Sequence, residues 1–276
     1  MPARWRTDNQ LWVEAFVCFN FLGLALDILI AHSANHFRRS SEYIPLYFSL
    51  VAPAVLFAGF LARERWRHQQ VWCDLGHLVG WAAVGIGLTG TVLHLDSQFF
   101  YERTLRSLTY AAPFAAPLAY TGLGLLLIMN RMVRPDSLEW AQWVILLTLG
   151  GFLGNFVFSL TDHAINGFYY AVEWLPVASS AFAVSFLLAL LLVPVNRRFL
   201  LLCGAVLVFQ GLVGVAGAVL HLLADGGGHG PGLFAKLVHG APAMAPLLFP
   251  NLVLLGLIAL WARHRHLPEA AGSPPP

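Results

Sequence analysis

The chain has 276 residues, of which 58% are hydrophobic and only 11% are charged, and its formal net charge is +2. Soluble globular proteins carry about 25% charged residues, so the composition excludes an ordinary soluble domain. The small net charge gives no reason to expect a nucleic-acid partner. Eight apolar segments are long enough to cross a bilayer, which takes roughly 20 residues each. In chain order they cover about 11–31, 45–62, 74–95, 111–130, 141–162, 174–195, 200–223 and 240–261.

In a bilayer every backbone polar group must be paired within the protein, so these segments must be helices. The predicted fold class is an all-α integral membrane protein with eight transmembrane helices. Of the 16 Lys and Arg residues, 11 fall on the side of the two termini and 5 on the other side. By the positive-inside bias, both termini are expected to be cytoplasmic, in a membrane of the bacterial inner-membrane type.

Two stretches of the chain share the same spaced residues. Residues 32–46 read HSANHFRRSSEYIPL and residues 163–177 read HAINGFYYAVEWLPV, with His, Asn, Phe, Glu and Pro at matching places. Likewise, residues 87–95 read GLTGTVLHL and residues 214–222 read GVAGAVLHL. The chain is therefore a duplication whose halves have an even number of spans and run in the same direction, which makes it a parallel repeat.

The duplication divides the chain into an N-terminal four-helix repeat, 1–135, and a C-terminal four-helix repeat, 136–266. A Pro-rich tail, 267–276, is predicted to be disordered. Each repeat consists of two hairpins, with a histidine near the outer end of the outgoing helix. The returning helices are expected to begin near a proline, whose missing N–H costs nothing in the first turn. These prolines are Pro45, Pro113, Pro176 and Pro242.

Histidine stands at the equivalent place in all four hairpins, where most other positions differ. An ionisable residue within a membrane span is expensive and usually functional, although a single histidine at a wet interface needs no such role. Paired imidazoles suit axial ligation of haem, and imidazole also binds Cu or Fe ions directly. The predicted metal ligands, at the extracytoplasmic side, are His32, His94, His163 and His221.

Further residues around these histidines are candidates for contact with the cofactor. Asn35, Asn166, Glu42 and Glu173 could orient the imidazoles, which commonly donate their second N–H to a carboxylate or carbonyl. The two glutamates could instead cap the returning helices. Small-residue faces lie one and two turns before two of the histidines and could hold a flat cofactor or simply pack against another helix. They consist of Gly87, Gly90, Gly214 and Gly217.

The plan of eight spans, two similar halves and four histidines on the outer side resembles the haem A synthases in architecture. The chain departs from that family because its histidines end the odd-numbered helices and its glutamates follow the histidines. The resemblance therefore implies an arrangement of helices, and it transfers no residue roles.

The sequence favours a membrane metalloprotein with a four-histidine site for haem b or a Cu or Fe ion, doing redox or metal-handling work. If the protein is an enzyme, a membrane oxidoreductase is the expected class. Besides the lipid bilayer, its partner would be an electron donor or a membrane complex. One alternative is a transporter or channel for a small solute or ion, gated by protonatable His and Glu side chains. Another is an accessory subunit of a membrane complex.

Overall fold

The computed structural model describes residues 8–227, 232–242 and 244–267, so the predicted Pro-rich tail lies outside the described residues except for Leu267. Within these ranges the chain forms α-helices and short 3₁₀ turns, and no strand is present there. The helices are α1 (Asn9–Ser33), α2 (Tyr43–Arg65), α3 (Gln69–Leu95), α4 (Phe99–Glu102), α5 (Leu105–Tyr110), α6 (Leu118–Met132), α7 (Leu138–Ile165), α8 (Trp174–Leu192), α9 (Arg197–Gly227), α10 (Leu233–His239) and α11 (Leu248–His264).

In the described part of the chain, seven helices are long and apolar enough to cross a membrane, counting the 3₁₀ turns before α2, α8 and α11 with those helices. They are α1, α2, α3, α7, α8, α9 and α11. The all-helical fold with membrane-length helices is thereby confirmed. Along these helices many large apolar side chains are exposed, such as Phe19, Leu78 and Leu223, which are 69%, 65% and 67% exposed. In a protein of this composition, such a surface suits contact with lipid.

The fourth predicted span, 111–130, differs from the helix that forms there. Helix α6 has only 15 residues, which corresponds to about 22 Å of helix against a hydrocarbon core of about 30 Å. Its start is delayed because Pro113 and Pro117 lack the N–H that a helix interior requires, and the segment between them forms turns. Eight full-length spans therefore remain a prediction. Pro242 also precedes its helix, since α11 begins at Leu248.

The long helices pack in two groups of four. Helix α1 packs beside α2 and α6, and α3 packs beside the same two helices, so α1 and α3 face each other diagonally across the first group. In the second group α7 and α9 each pack beside α8 and α11. The groups meet where α6 contacts α7 and α1 contacts α11. At the latter contact, Asn20 and Asn251 exchange side-chain hydrogen bonds.

The interior below the histidine ends is filled with aromatic rings. In the first group, the centroids of Phe21 and Tyr120 lie 6.1 Å apart, and the Tyr120 hydroxyl donates to the Pro45 carbonyl at 3.0 Å. In the second group, the rings of Phe152 and Phe249 lie 6.4 Å apart. Dense packing at these places fixes the separation of the helix ends above.

A buried ion pair lies at the opposite end of the first group. One guanidinium nitrogen of Arg131 lies 2.6 Å from the Glu14 carboxylate, and the two side chains are 0% and 7% exposed. The Arg131 guanidinium also lies 3.6 Å from the centroid of the Trp72 ring, and its Nε donates to the Trp72 carbonyl. Gly76 leaves the room for Arg131, since a Cβ there would lie 2.7 Å from the guanidinium carbon. The close approach explains why a glycine is needed at this position.

Candidate functional site

The histidine site of the N-terminal half begins where α1 ends. His32 is the penultimate residue of α1, and the chain then reverses through His36 and Phe37, which have φ of 59° and 48°. The Phe37 N–H donates to the His32 carbonyl at 3.0 Å and to the Asn35 side-chain oxygen at 3.2 Å. This reversal directs the chain back towards His32, where it forms the 3₁₀ turn Ser40–Glu42.

The C-terminal half forms the same turn after α7. Gly167 and Phe168 take φ of 69° and 53°, and the Phe168 N–H donates to the His163 carbonyl at 3.0 Å and to the Asn166 side-chain oxygen at 3.2 Å. A left-handed residue costs about 1–2 kcal/mol unless it is glycine. Because both halves have this reversal, the 3₁₀ turn that follows it is positioned in the same way in each half.

Each turn brings a glutamate to its histidine. The Nδ1 atom of His32 lies 3.3 Å from the Glu42 carboxylate, and that of His163 lies 3.7 Å from the Glu173 carboxylate. The glutamate side chains are only 13% and 11% exposed, and the carboxylate oxygen that faces each imidazole is buried and makes no hydrogen bond. The geometry therefore places a largely buried carboxylate next to each of these two imidazoles.

The glutamate side chains do not cap the returning helices, which was the alternative role. Both stand at the residue before a helix, but neither carboxylate accepts a hydrogen bond from that helix's N–H groups. The second carboxylate oxygen instead accepts from an asparagine: Asn35 donates to Glu42 at 3.4 Å and Asn166 donates to Glu173 at 3.5 Å. The predicted orienting residues are thus brought together with two of the four histidines.

The other two histidines have a backbone carbonyl as their partner. The Nδ1 atom of His94 lies 2.9 Å from the Pro113 carbonyl, and that of His221 lies 3.1 Å from the Pro242 carbonyl. The sequence did not single out these carbonyls, although Ala-Pro occurs at the matching place in both halves. A side chain near the end of each outgoing segment anchors the loop, because Ser97 accepts from the Ala112 N–H and Asp225 from the Ala241 N–H.

The four histidines form two pairs. The ring centroids of His32 and His94 lie 6.2 Å apart with an interplanar angle of 68°. Those of His163 and His221 lie 6.3 Å apart at 82°. Because α1 faces α3 diagonally and α7 faces α9 likewise, each pair bridges its own group of helices. The ring contacts found in the described residues join these histidines within a half.

The partners of Nδ1 determine which ring nitrogen is free. A carbonyl only accepts hydrogen bonds, so the neutral imidazoles of His94 and His221 carry their proton on Nδ1 and a lone pair on Nε2. The carboxylates beside His32 and His163 favour the same tautomer. All four rings thereby have Nε2 available as a donor atom to a metal, and each has the outer partner that metal-binding imidazoles commonly have.

The four predicted cofactor-contacting glycines pack against the returning helices. A Cβ at Gly87 would lie 2.9 Å from the Pro117 carbonyl oxygen, and one at Gly214 would lie 2.6 Å from the Pro246 carbonyl oxygen. One turn further on, Gly90 and Gly217 lie against the same two prolines. These contacts correspond to the helix-packing alternative, and they leave the face of each helix covered below its histidine.

No group of three or more His, Cys, Asp or Glu side chains that could hold a metal ion occurs among the described residues. A closed site built from protein ligands alone, as in structural zinc centres, therefore finds no counterpart in the described part of the chain. The comparisons with known proteins add no assignment: no protein-family model, no curated protein and no solved structure matches this chain.

Proposed function

We propose that this protein is an integral membrane metalloprotein that holds haem b between paired histidines, one pair in each half, and that it works in electron transfer at the extracytoplasmic face. The observation that carries the proposal is the state of the imidazoles. In both halves each Nδ1 faces a carboxylate or a carbonyl, which leaves two Nε2 lone pairs per half for a metal.

The number of protein ligands favours haem over a bare ion. Two imidazoles per half do not complete the shell of three or four protein ligands that a Zn, Cu or Fe ion takes. Haem supplies its own equatorial ligands and needs only axial ones. The two rings of each pair are close enough, at 6.2 and 6.3 Å between centroids, that both would hold the same group.

The residues around each pair would hold and tune the imidazoles. Glu42 and Glu173 face the Nδ1–H and increase the basicity of Nε2, while Asn35 and Asn166 fix the carboxylates. The carbonyls of Pro113 and Pro242 fix the opposite rings without adding a charge. When bound, haem would supply one-electron chemistry. The protein would therefore need an electron donor or acceptor in the membrane or at its outer face.

The proposal includes the predicted architecture of eight spans in two parallel repeats. Helix α6 would be the fourth span, extended by the Pro113–Pro117 segment to reach the histidine end. The matched turns, ion pairs and carbonyl contacts of the two halves support the duplication. Both termini would lie in the cytoplasm.

The haem and metal content of the full-length protein, purified from membranes, tests the proposal. We expect haem b at up to two per chain, with Cu and other metals below stoichiometric amounts. The double variant His32→Ala/His94→Ala should lose one haem per chain, and His163→Ala/His221→Ala should lose the other. His264→Ala, at the opposite end of the chain's last helix, is the matched control and should lose none. Equal cofactor content in all four proteins would refute the assignment.

A protonatable gate is a second candidate, and the His–Glu pairs favour it. Each pair joins an imidazole, the type of side chain used in protonation switches, to a largely buried carboxylate. In this reading the protein moves protons or a small ion, and the pairs need no metal. Proton uptake by protein-containing vesicles, lost in Glu42→Gln, together with haem-free protein would favour this function over the first.

A further inference from the structure

A cleft of about 420 Å³ lies between the two halves at their histidine end. One wall is the reversal after α1, with Ser33, His36 and Phe37, and the other is α10, with Phe234, Val238 and His239. Small-molecule sites have volumes of about 300–1,000 Å³, are mostly apolar with a few polar groups, and often lie between domains. The size, lining and position of this cleft meet these criteria.

The lining of the cleft favours an uncharged ligand. Among the described residues that line it there is no Asp, Glu, Lys or Arg, and their polar side-chain groups are two imidazoles and one hydroxyl. The Ser33 hydroxyl already donates to the Leu29 carbonyl at 2.5 Å. The donors left for a ligand are therefore the ring N–H groups of His36 and His239. Two such donors between phenylalanine walls suit a flat ring that carries oxygen acceptors.

Neither of these two histidines belongs to the repeated pairs. Gly167 stands in the other half at the place of His36, and Tyr110 stands at the place of His239. His36 also takes a left-handed φ of 59°, which glycine would adopt without strain. The N-terminal half thus carries an imidazole at a position where its counterpart has no side chain. The turn itself does not require that imidazole, since it also forms with Gly167.

The surroundings connect the cleft to the bilayer and to one histidine pair. Leu29 and Phe234 are 41% and 57% exposed, so apolar surface adjoins the cleft on both walls. Phe37, which lines the cleft, also lies against His32, with ring centroids 5.8 Å apart. A molecule in the cleft would then be separated from that imidazole by a single ring.

From these observations we infer that the cleft binds a neutral, lipid-soluble ring of the quinone or quinol type, which enters from the membrane and hydrogen-bonds to His36 and His239. The binding site stands independently of the proposed function. Only its closeness to His32 would connect it to a cofactor held there.

Binding of radiolabelled decylubiquinone to the full-length protein in nanodiscs tests the inference. We expect saturable binding that is weakened about two- to tenfold by the loss of either hydrogen bond, in His36→Gly and in His239→Phe. His36→Gly introduces the residue that the other half already carries, and His239→Phe keeps an aromatic ring without a donor, so the fold should be retained, which gel filtration and circular dichroism check. His264→Ala is the control and should bind normally.

Unchanged binding in both folded variants, or no saturable binding to the unaltered protein, would overturn the inference. Displacement of the quinone by short-chain phosphatidate would also overturn it, because it would identify the site as one for anionic lipid. The measurements are made on haem-free and haem-containing protein. Failure of the paired-histidine proposal is thus distinguishable from failure of the cleft assignment.

Discussion

Replacing Glu42 by Gln separates the two roles that a glutamate before a helix can have. The substitution keeps the size and the hydrogen-bonding capacity of the side chain but removes the charge that lies 3.3 Å from the His32 Nδ1 atom. Loss of such an outer partner typically costs 10–100-fold in metal affinity. We therefore expect haem to dissociate about 10–100-fold more readily from the N-terminal pair, with little change in the melting temperature of the haem-free protein.

The matched variant, Glu173→Gln, supplies the comparison within the same molecule. Its carboxylate lies 3.7 Å from the His163 Nδ1 atom, farther than the 3.3 Å that separates Glu42 from His32, so its electrostatic interaction with the ring is weaker. The effect of Glu173→Gln on haem affinity should accordingly be smaller than that of Glu42→Gln. Haem affinity is measured by transfer to apomyoglobin. Unchanged transfer rates combined with a lower melting temperature would refute the reasoning and return both glutamates to a capping role.

Three further predictions concern stability and orientation. Arg131→Met should destabilise the protein by about 3–5 kcal/mol, because it leaves the Glu14 carboxylate buried without its partner. A denaturant titration should show a much smaller loss of stability in the double variant Glu14→Leu/Arg131→Met. Gly214→Ala should lower the free energy of unfolding by about 1–3 kcal/mol, because the added Cβ forces α9 away from the Pro246 carbonyl. Gly122→Ala, where a Cβ meets open space, should melt at the same temperature as the unaltered protein. A reporter fused to the C-terminus should be active only as a cytoplasmic domain, whereas periplasmic activity would invert the predicted orientation.

The repeated histidines, asparagines and glutamates were accessible from the sequence because the chain contains each motif twice. The sequence predicted an orienting role for Asn35 and Glu42 beside His32; the structure brings Asn35 to Glu42 and Glu42 to within 3.3 Å of the His32 Nδ1 atom, and the role stays a prediction. Whether Glu42 capped α2 was beyond the sequence, since the answer depends on the reversal at His36 and Phe37, and a positive φ is uncommon for residues other than glycine.

Other features depend on packing that no local pattern encodes. The pairing of His32 with His94 follows from the diagonal placement of α1 and α3, which is set by the order of helices around the group. The Pro113 carbonyl was not foreseen because backbone acceptors carry no residue-type signal. The same proline explains the late start of α6, where an apolar sequence looked like a continuous span.

The absorption spectrum of the protein purified from membranes, first oxidised in air and then reduced with dithionite, tests the paired-histidine account most directly. The account predicts an intense Soret band and, on reduction, a sharp α band, as expected of haem held by two imidazoles. Both bands should decrease by about half in His32→Ala/His94→Ala, because one of the two haems is then lost. A featureless spectrum in both states, from protein that is folded and contains all four histidines, would contradict the account.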